Sequence, residues 1–585
     1  MWVSIILIVI LAGIMAFGIL FKYINPLKTR WYVVLSSFIG WYLAFLSPLL
    51  MPLDIVSTFK SEKDFLYINQ KVLIIIWWII YILQFGLCYL IFPIIQTYSI
   101  VGDFTFIKKL IRSIKRNVIF YGTLIILLIL FFILFWVFKG DELITSGQEY
   151  FGFALTLSNA WGLILAIGLM GNGYIMFIYD TIRTFTNKLE LRKNICDVGL
   201  YNIRMTESKK VLDEQIKVIK GYDEIINEED PLRPYVNKCI NDIKKYYNDK
   251  YETSSSNKVK NNYTELAISN EKLQDSLRKI IRDEKLYEKT ITKTKQLFLI
   301  ENETDIPELI QQIPKIKYYY YKYGRWITNI FKTLLILIFW IFVIQPELTM
   351  IGKLKTINPT INITSNLLNN DLSGWVGIET LLILSLMIFF AFSSFINIEM
   401  ISFFRITKHQ LSDSYSIIFA GNYLSRVGPA LAMNFIHMIN FSSTQYPIIQ
   451  TQTAFQIVNK GMEKVPFFGR NSFNDTFPIC IFCIMVLTVF SLGFDYRRLF
   501  NFVVGLLNYI FSCVDGIGID EIIYTSESDS YKKGVLLIKK RLLDDSKNLP
   551  ETDSKRNYRK SVMSIHWKVN KNGYNELRGY DEELV

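Results

Sequence analysis

The sequence predicts an all-α polytopic membrane protein that crosses the bilayer about nine times as helices and carries a helical coiled-coil hairpin in the cytosol. Three observations predict this. Apolar residues make up 51% of the 585-residue chain and gather into runs long enough to cross lipid. Charged residues amount to only 20% and fall mostly between those runs. One long stretch, residues 181–323, reverses the pattern, being rich in Lys, Glu, Asp and Asn with helix-like spacing.

A membrane helix needs roughly 20 mainly apolar residues. The runs that qualify are Trp2–Ile24, Trp31–Leu53, Val72–Ile95, Asn117–Phe138, Ala154–Tyr179, Trp326–Ile344, Trp375–Ser394, Ser414–Met438 and Phe477–Phe494. The eighth is the most polar, because AGNYLSRVGPALAMNF carries an arginine, two asparagines and a proline. The runs divide the chain into an N-terminal membrane bundle of five spans (1–182), a cytosolic coiled-coil arm (183–323), a C-terminal bundle of four spans (324–496) and a cytosolic tail with an interfacial helix (497–585).

Orientation follows from where the basic residues fall. No basic residue precedes Trp2–Leu20, and Lys22, Lys28 and Arg30 follow it, which suits a retained first helix with its N-terminus outside. The next cytosolic loop then holds Lys108, Lys109, Arg112, Lys115 and Arg116, and the last holds Arg405 and Lys408. Lys60, Lys63 and Lys71 run against the rule at the first outside loop. The sequon Asn362-Ile-Thr364 falls outside in this scheme and makes Asn362 the candidate glycosylation site.

In the arm, Leu212, Ile216 and Ile219 follow a 4-then-3 step. Leu273, Leu277, Ile280, Tyr287 and Ile291 repeat the register, with Glu284 as its one break. Asp230-Pro231 breaks the first long helix, and Tyr251–Asn262 is the expected turn. The plain reading is a stiff intramolecular hairpin; a coil that binds a protein partner is the alternative. Beyond Tyr496, LFNFVVGLLNYIF is too short to span and reads as interfacial, and the charged end reads as disorder broken by one short helix.

An ionisable residue at bilayer depth is a functional hypothesis, since Arg at a helix centre costs about 2.5–3.5 kcal/mol on insertion scales. Arg426 lies about twelve residues into the eighth span, roughly 18 Å deep. Gly428-Pro429 follow it, and Glu379 near the outer end of the seventh span is the candidate partner. Together they make the candidate intramembrane polar site. A cavity for substrate, ion or lipid headgroup is one reading, and a buried salt bridge that fixes packing is the other. Gly162, Gly168, Gly171 and Gly173 crowd the fifth span, as close helix packing requires.

The formal net charge of +12 crowds the ends of apolar runs, where it serves topology and contact with the lipid bilayer, so no nucleic-acid partner is expected. Cys88, Cys196, Cys239, Cys480, Cys483 and Cys513 show no disulfide framework, and Cys480-x-x-Cys483 sits in an apolar run without a redox context. His409, His437 and His566 are scattered. Catalytic, cofactor-binding and metal-binding residues are none, no cofactor is implied, and the chain is not expected to be an enzyme.

Several stretches carry a family resemblance: WYLAFLSPLLMPLDIVST at Trp41–Thr58, IFPIIQTYS at Ile91–Ser99, FYGT at Phe120–Thr123, NAWGL at Asn159–Leu163, DPLR at Asp230–Arg233, NYLSRVGPALAMNF at Asn422–Phe435, QTAF at Gln452–Phe455 and KKGVLLIKKRL at Lys532–Leu542. Over nearly the whole chain this resembles the limb region (LMBR) family of multi-pass membrane proteins, and within it the LMBR domain-containing protein 2 subgroup. Where similar proteins continue the fifth span with Glu-Ile-Pro, this chain reads Met176-Phe177-Ile178. The resemblance implies nine spans, an outside N-terminus and a cytosolic coiled-coil loop between spans five and six. It links members to receptor-like uptake, lysosomal export and, for this subgroup, modulation of G-protein-coupled receptor signalling at the plasma membrane. The expectation is therefore a receptor-like or signalling scaffold with protein partners on its arm, at the plasma membrane. A transporter or transporter accessory for a small molecule or lipid is the alternative function, and an endolysosomal membrane the alternative location.

Overall fold

The computed structural model of the chain describes residues 2–59, 67–139, 147–247, 262–301, 313–349, 375–397, 406–407, 409–438, 452–459, 473–493 and 527–547. Every regular element among them is helical. The described residues fall into two compact units. The first comprises Met1–Val101, Thr105–Ile178 and Leu334–Glu521; the second comprises Gly102–Phe104, Tyr179–Thr333 and Ile522–Val585.

Six helices are long and apolar enough to cross a membrane: Ile5–Tyr23, Trp31–Thr58, Gln70–Ile100, Gly162–Arg183, Lys315–Glu347 and Gly377–Phe395. They coincide with expected spans one, two, three, five, six and seven. The other three expected runs are also helical. The fourth lies on α5 (Phe106–Lys139), the eighth on α14 (Ser414–Met438) and the ninth on α16 (Phe473–Gly493), which contains the shorter apolar stretch Ile479–Phe490.

The polarity of α14 has a packing cause. Its side chains Ile417, Leu424, Val427, Leu431 and Phe435 are all buried against other helices of the first unit, so it has no need of a lipid-facing surface. It crosses α2 (Trp31–Phe59) at two glycine contacts. A Cβ added to Gly40 would lie 2.9 Å from the Gly421 carbonyl carbon, and one added to Gly428 would lie 3.0 Å from the Ala44 oxygen. Small residues let two backbones approach closely in lipid, where no hydrophobic force draws helices together. By contrast α1 (Trp2–Tyr23) turns Leu7 and Ile14 outward, more than 60% exposed, as a lipid-facing helix does.

The loops group by end of the bundle. At the C-terminal end of α1, Gln410 and Ser412 donate their backbone N–H to the carbonyls of Lys22 and Tyr23. At the opposite end, Ile68 donates to Ser57 Oγ (3.0 Å) and Gln70 Nε2 to the Gln452 carbonyl (3.1 Å), joining the loop after α2 to the segment that leads into the helix at Ala454.

In the second unit, α7 (Asn187–Ile225) and α9 (Tyr263–Glu301) run antiparallel, as the pairs Lys188–Glu301 (3.5 Å), Glu190–Lys293 (2.5 Å) and Ser208–Asp283 (3.0 Å) require. Leu212, Ile216 and Ile219 meet Leu273, Leu277 and Ile280 along the predicted seam, joined by Val236, Cys239 and Ile243 of α8 (Arg233–Tyr247). The core is thus shared among three helices. Glu284, the break in the register, accepts a hydrogen bond from Tyr246 of α8 (2.7 Å), which burial and that carboxylate hold in its protonated form. The expected break at Asp230-Pro231 lies between α7 and α8. Arg233 there donates to the carbonyls of Asp223 (3.0 Å) and Ile226 (3.1 Å), satisfying the orphan acceptors at the end of α7.

Asn362, residues 251–261 of the expected turn, Cys513 and the apolar stretch Leu499–Phe511 lie outside the described residues.

Candidate functional site

Arg426, on α14, meets a backbone carbonyl and tyrosine rings, and no carboxylate is among its contacts with the described residues. Residues Gln70–Gly86 form α3, and Leu87–Ile91 a π-helical turn that leads into α4 (Phe92–Ile100). A π turn takes an extra residue and often marks a functional position. Here Arg426 Nη2 donates to the Cys88 carbonyl of that turn at 2.7 Å, and makes a longer contact (3.4 Å) with Asn422 Oδ1. The guanidinium lies 4.0 Å from the Tyr89 ring centroid and 5.5 Å from that of Tyr423. Behind it, Cys88 Sγ and Ser425 Oγ are 2.9 Å apart.

Glu379 is not among the contacts of Arg426. The two helices run in opposite directions, and Glu379 sits in the second turn of α13 (Trp375–Asn397). At 1.5 Å per residue this leaves it about 12 Å from the level of Arg426 along the bundle. Aromatic faces and a backbone carbonyl do the work assigned to a carboxylate, and a planar guanidinium suits both. Arg426→Lys keeps the charge but loses the stack and should cost about 1 kcal/mol. Arg426→Leu strands the Cys88 carbonyl and should cost about 1–3 kcal/mol. Thermal unfolding of the purified chain in one detergent ranks the two.

Three of the four glycines of the fifth span serve close packing. An added Cβ on Gly162 would lie 3.0 Å from the Arg426 carbonyl oxygen, on Gly171 3.1 Å from that of Ile481, and on Gly173 1.9 Å from that of Phe390. Gly168 has open space around it. Gly168→Ala should be neutral or stabilise by up to about 1 kcal/mol through helix propensity, read in the same melt.

Among the described residues of the first unit, two buried acids were not singled out from sequence. Asp54, 1% exposed, accepts three hydrogen bonds. They come from the backbone N–H of Ala454 (3.0 Å) and of Phe455 (2.7 Å), and from Trp77 Nε1 (2.9 Å). Its carboxylate thereby ties α2 and α3 to the short helix α15 (Ala454–Val458), whose start Thr453 and Gln456 close as a reciprocal capping box. Trp77 also meets Phe455 edge to face at 4.8 Å. Glu347, in α12 (Gln345–Thr349), is 3% exposed and accepts a hydrogen bond from the Asn434 amide of α14. The signal for both is a single acid within or at the end of an apolar run.

On the other unit, the tail helix α17 (Glu527–Lys547) docks on α7. Two glycines meet at the crossing: a Cβ added to Gly199 would lie 1.8 Å from the Ser530 carbonyl oxygen, and one added to Gly534 would lie 2.0 Å from that of Ile195. Val535, Ile538 and Leu542 then bury against Ile195, Val198, Ile291 and Phe298. The basic tail stretch is therefore a packed part of the arm. Burial pushes the Cys239 thiol up to about 12, which leaves it inert. No cluster of three or more His, Cys, Asp or Glu suited to a metal occurs among the described residues.

The stretches quoted for the resemblance meet one another in this geometry. The Trp41–Thr58 stretch supplies Asp54, QTAF supplies its donors Ala454 and Phe455, and Asn422–Phe435 supplies Arg426. A family model described as LMBR1-like membrane protein matches residues 1–493. The chain belongs to that family. It is an integral multi-pass membrane protein, as the family and the apolar helices require. Among similar proteins is the LMBR1 domain-containing protein 2 homolog A of Dictyostelium discoideum, 25% identical over 570 residues, covering 86% of this chain and 74% of that protein. The Drosophila melanogaster LMBR1 domain-containing protein 2 homolog is 22% identical, covering 81% of this chain and 76% of its own length. A Homo sapiens protein named G-protein coupled receptor-associated protein LMBRD2 is 22% identical, covering 83% of this chain and 78% of its own length. No solved structure matches.

Proposed function

We propose that this family member is a non-enzymatic membrane scaffold that associates with G-protein-coupled receptors at the plasma membrane and engages signalling partners through its cytosolic unit. The observation that carries this reading is the construction of that unit. Segments far apart in sequence, the Gly102–Phe104 turn, the arm and the tail, fold into a body with its own two apolar clusters. Asn270 Nδ2 donates to the Gly102 carbonyl (2.7 Å), and α17 closes the other cluster. A linker between membrane bundles needs no such core. The names of the vertebrate relatives supply the receptor class.

The setting of Arg426 favours this reading over transport. Its charge is stacked between tyrosines and bonded to a carbonyl, an arrangement that fixes the π turn at Leu87–Ile91 to α14. The test is co-purification of tagged full-length chain, from cells expressing a panel of G-protein-coupled receptors, beside an unrelated multi-pass protein of similar size. Selective recovery of a subset of receptors is expected, and it should fall at least several-fold with Gly534→Leu. Recovery no better than that of the unrelated protein sinks the proposal.

A further inference from the structure

The first half of α2 keeps a surface that its second half lacks. In residues 43–58 of this helix every side chain is buried. Before them, Trp31 is 75% exposed and Leu35 50%, and Phe38 and Tyr42 are part-exposed. These four stand at i, i+4, i+7 and i+11, so they form one stripe along a single helix face. α2 is also the most enclosed of the six apolar helices, packed against α1, α13 and α14. An open stripe on so enclosed a helix is the floor of a recess between its neighbours. From Trp31 to Tyr42 the stripe measures about 16 Å at 1.5 Å per residue. That is about half of a hydrocarbon core of about 30 Å, or one leaflet.

The two ends of the recess differ in chemistry. At its deep end Phe38 and Tyr42 stack, with ring centroids 6.0 Å apart and planes 22° from parallel. Past them the helix is sealed. At its mouth, where the polar loop of residues 25–30 enters the helix, Arg30 Nη1 donates to Tyr32 Oη at 3.0 Å. Tyr98 of α4 meets the Tyr32 ring edge to face at 5.4 Å, and Trp31 meets it likewise at 6.2 Å. An aromatic-lined floor one leaflet long, with a polar pair at the headgroup level, suits a flat apolar molecule with one polar end. We infer that the recess binds a membrane sterol, its fused rings against Leu35, Phe38 and Tyr42 and its hydroxyl at Tyr32 and Arg30. A phenol hydroxyl both donates and accepts, so Tyr32 can serve a sterol hydroxyl while it accepts from Arg30. A phospholipid chain would lose rotamer freedom on lying in a fixed recess, whereas fused rings have none to lose. Arg30, Tyr32 and Leu35 also follow the order of a short pattern proposed for sterol contact.

The test reconstitutes the full-length chain in phosphatidylcholine vesicles that carry a small fraction of photoactivatable cholesterol, and maps the cross-links by mass spectrometry. Label should concentrate on peptides holding residues 31–42 and Tyr98, and fall when unlabelled cholesterol is added. Leu35→Trp, which fills the recess from an exposed position, should lose most of that label while melting like wild type. Tyr32→Phe keeps the ring contacts and removes the hydroxyl, and should weaken the label about threefold to tenfold. Where Leu35→Trp melts lower than wild type, Tyr32→Phe decides. Ile14→Trp, on the lipid-facing side of α1, should leave the label unchanged. Label spread evenly over the lipid-facing helices, which bulk phospholipid in the recess would also give, overturns the inference. So does a folded Leu35→Trp variant, or a Tyr32→Phe variant, that is labelled like wild type.

Discussion

Replacing Asp54 by alanine should be among the most damaging single substitutions in the membrane unit. The change removes one carboxylate and strands three donors, the backbone N–H of Ala454 and of Phe455 and the indole N–H of Trp77. A buried donor left without a partner costs about 1–3 kcal/mol, and water does not readily reach a site where Asp54 is 1% exposed. The summed loss is expected at roughly 3–5 kcal/mol after relaxation, in the range seen when one partner of a buried charged pair is removed. Asp54→Asn keeps one carbonyl acceptor but turns an amide N–H toward a remaining donor, so about half the loss is expected. Thermal melts of both variants in the same detergent give the ranking. An alanine variant that melts with wild type would show that α15 does not depend on the carboxylate.

The second large effect is expected at the crossing of α7 and α17. A side chain at Gly534 meets the Ile195 backbone at 2.0 Å, and backbone does not yield as a flexible side chain does. Gly534→Leu must therefore lift α17 off the arm and expose Val535, Ile538 and Leu542, each contributing about 1.5–3 kcal/mol when buried. Hydrogen exchange of the full chain should show amides of 527–547 losing protection by on the order of a hundredfold or more. The separate cluster around Leu212, Ile216 and Ile280 should keep its protection. Gly199→Leu, on the facing helix, should give the same pattern. Unchanged protection of α17 in both variants would contradict the docked arrangement.

What the sequence makes legible and what it hides divide along physical lines. Apolar runs declare membrane helices, because lipid imposes its demand on each segment separately. The Asp230-Pro231 break and the seam of Leu212, Ile216 and Ile219 are local signals, and they appear where expected. Contacts between distant segments leave no such trace. Asp54 and Ala454 lie 400 positions apart, and nothing around either residue names the other. Gly534 reads as an ordinary interruption of a basic helix until Gly199 is placed opposite it. Arg426 is visible as a charge in the wrong solvent, which leads to the expectation of a carboxylate. The protein instead supplies a carbonyl at a π turn and two tyrosine faces, and neither is written in residue type.

The central claim is that the arm and the tail share one face of the membrane, the cytosolic one, where they fold together, while the N-terminus lies outside. Short epitope tags placed at the N-terminus, within residues 251–261 and at the C-terminus test it in whole cells. The N-terminal tag should be labelled by antibody in intact cells, and the other two only after permeabilisation. Arm and tail tags on opposite faces, or both labelled in intact cells, would contradict the account.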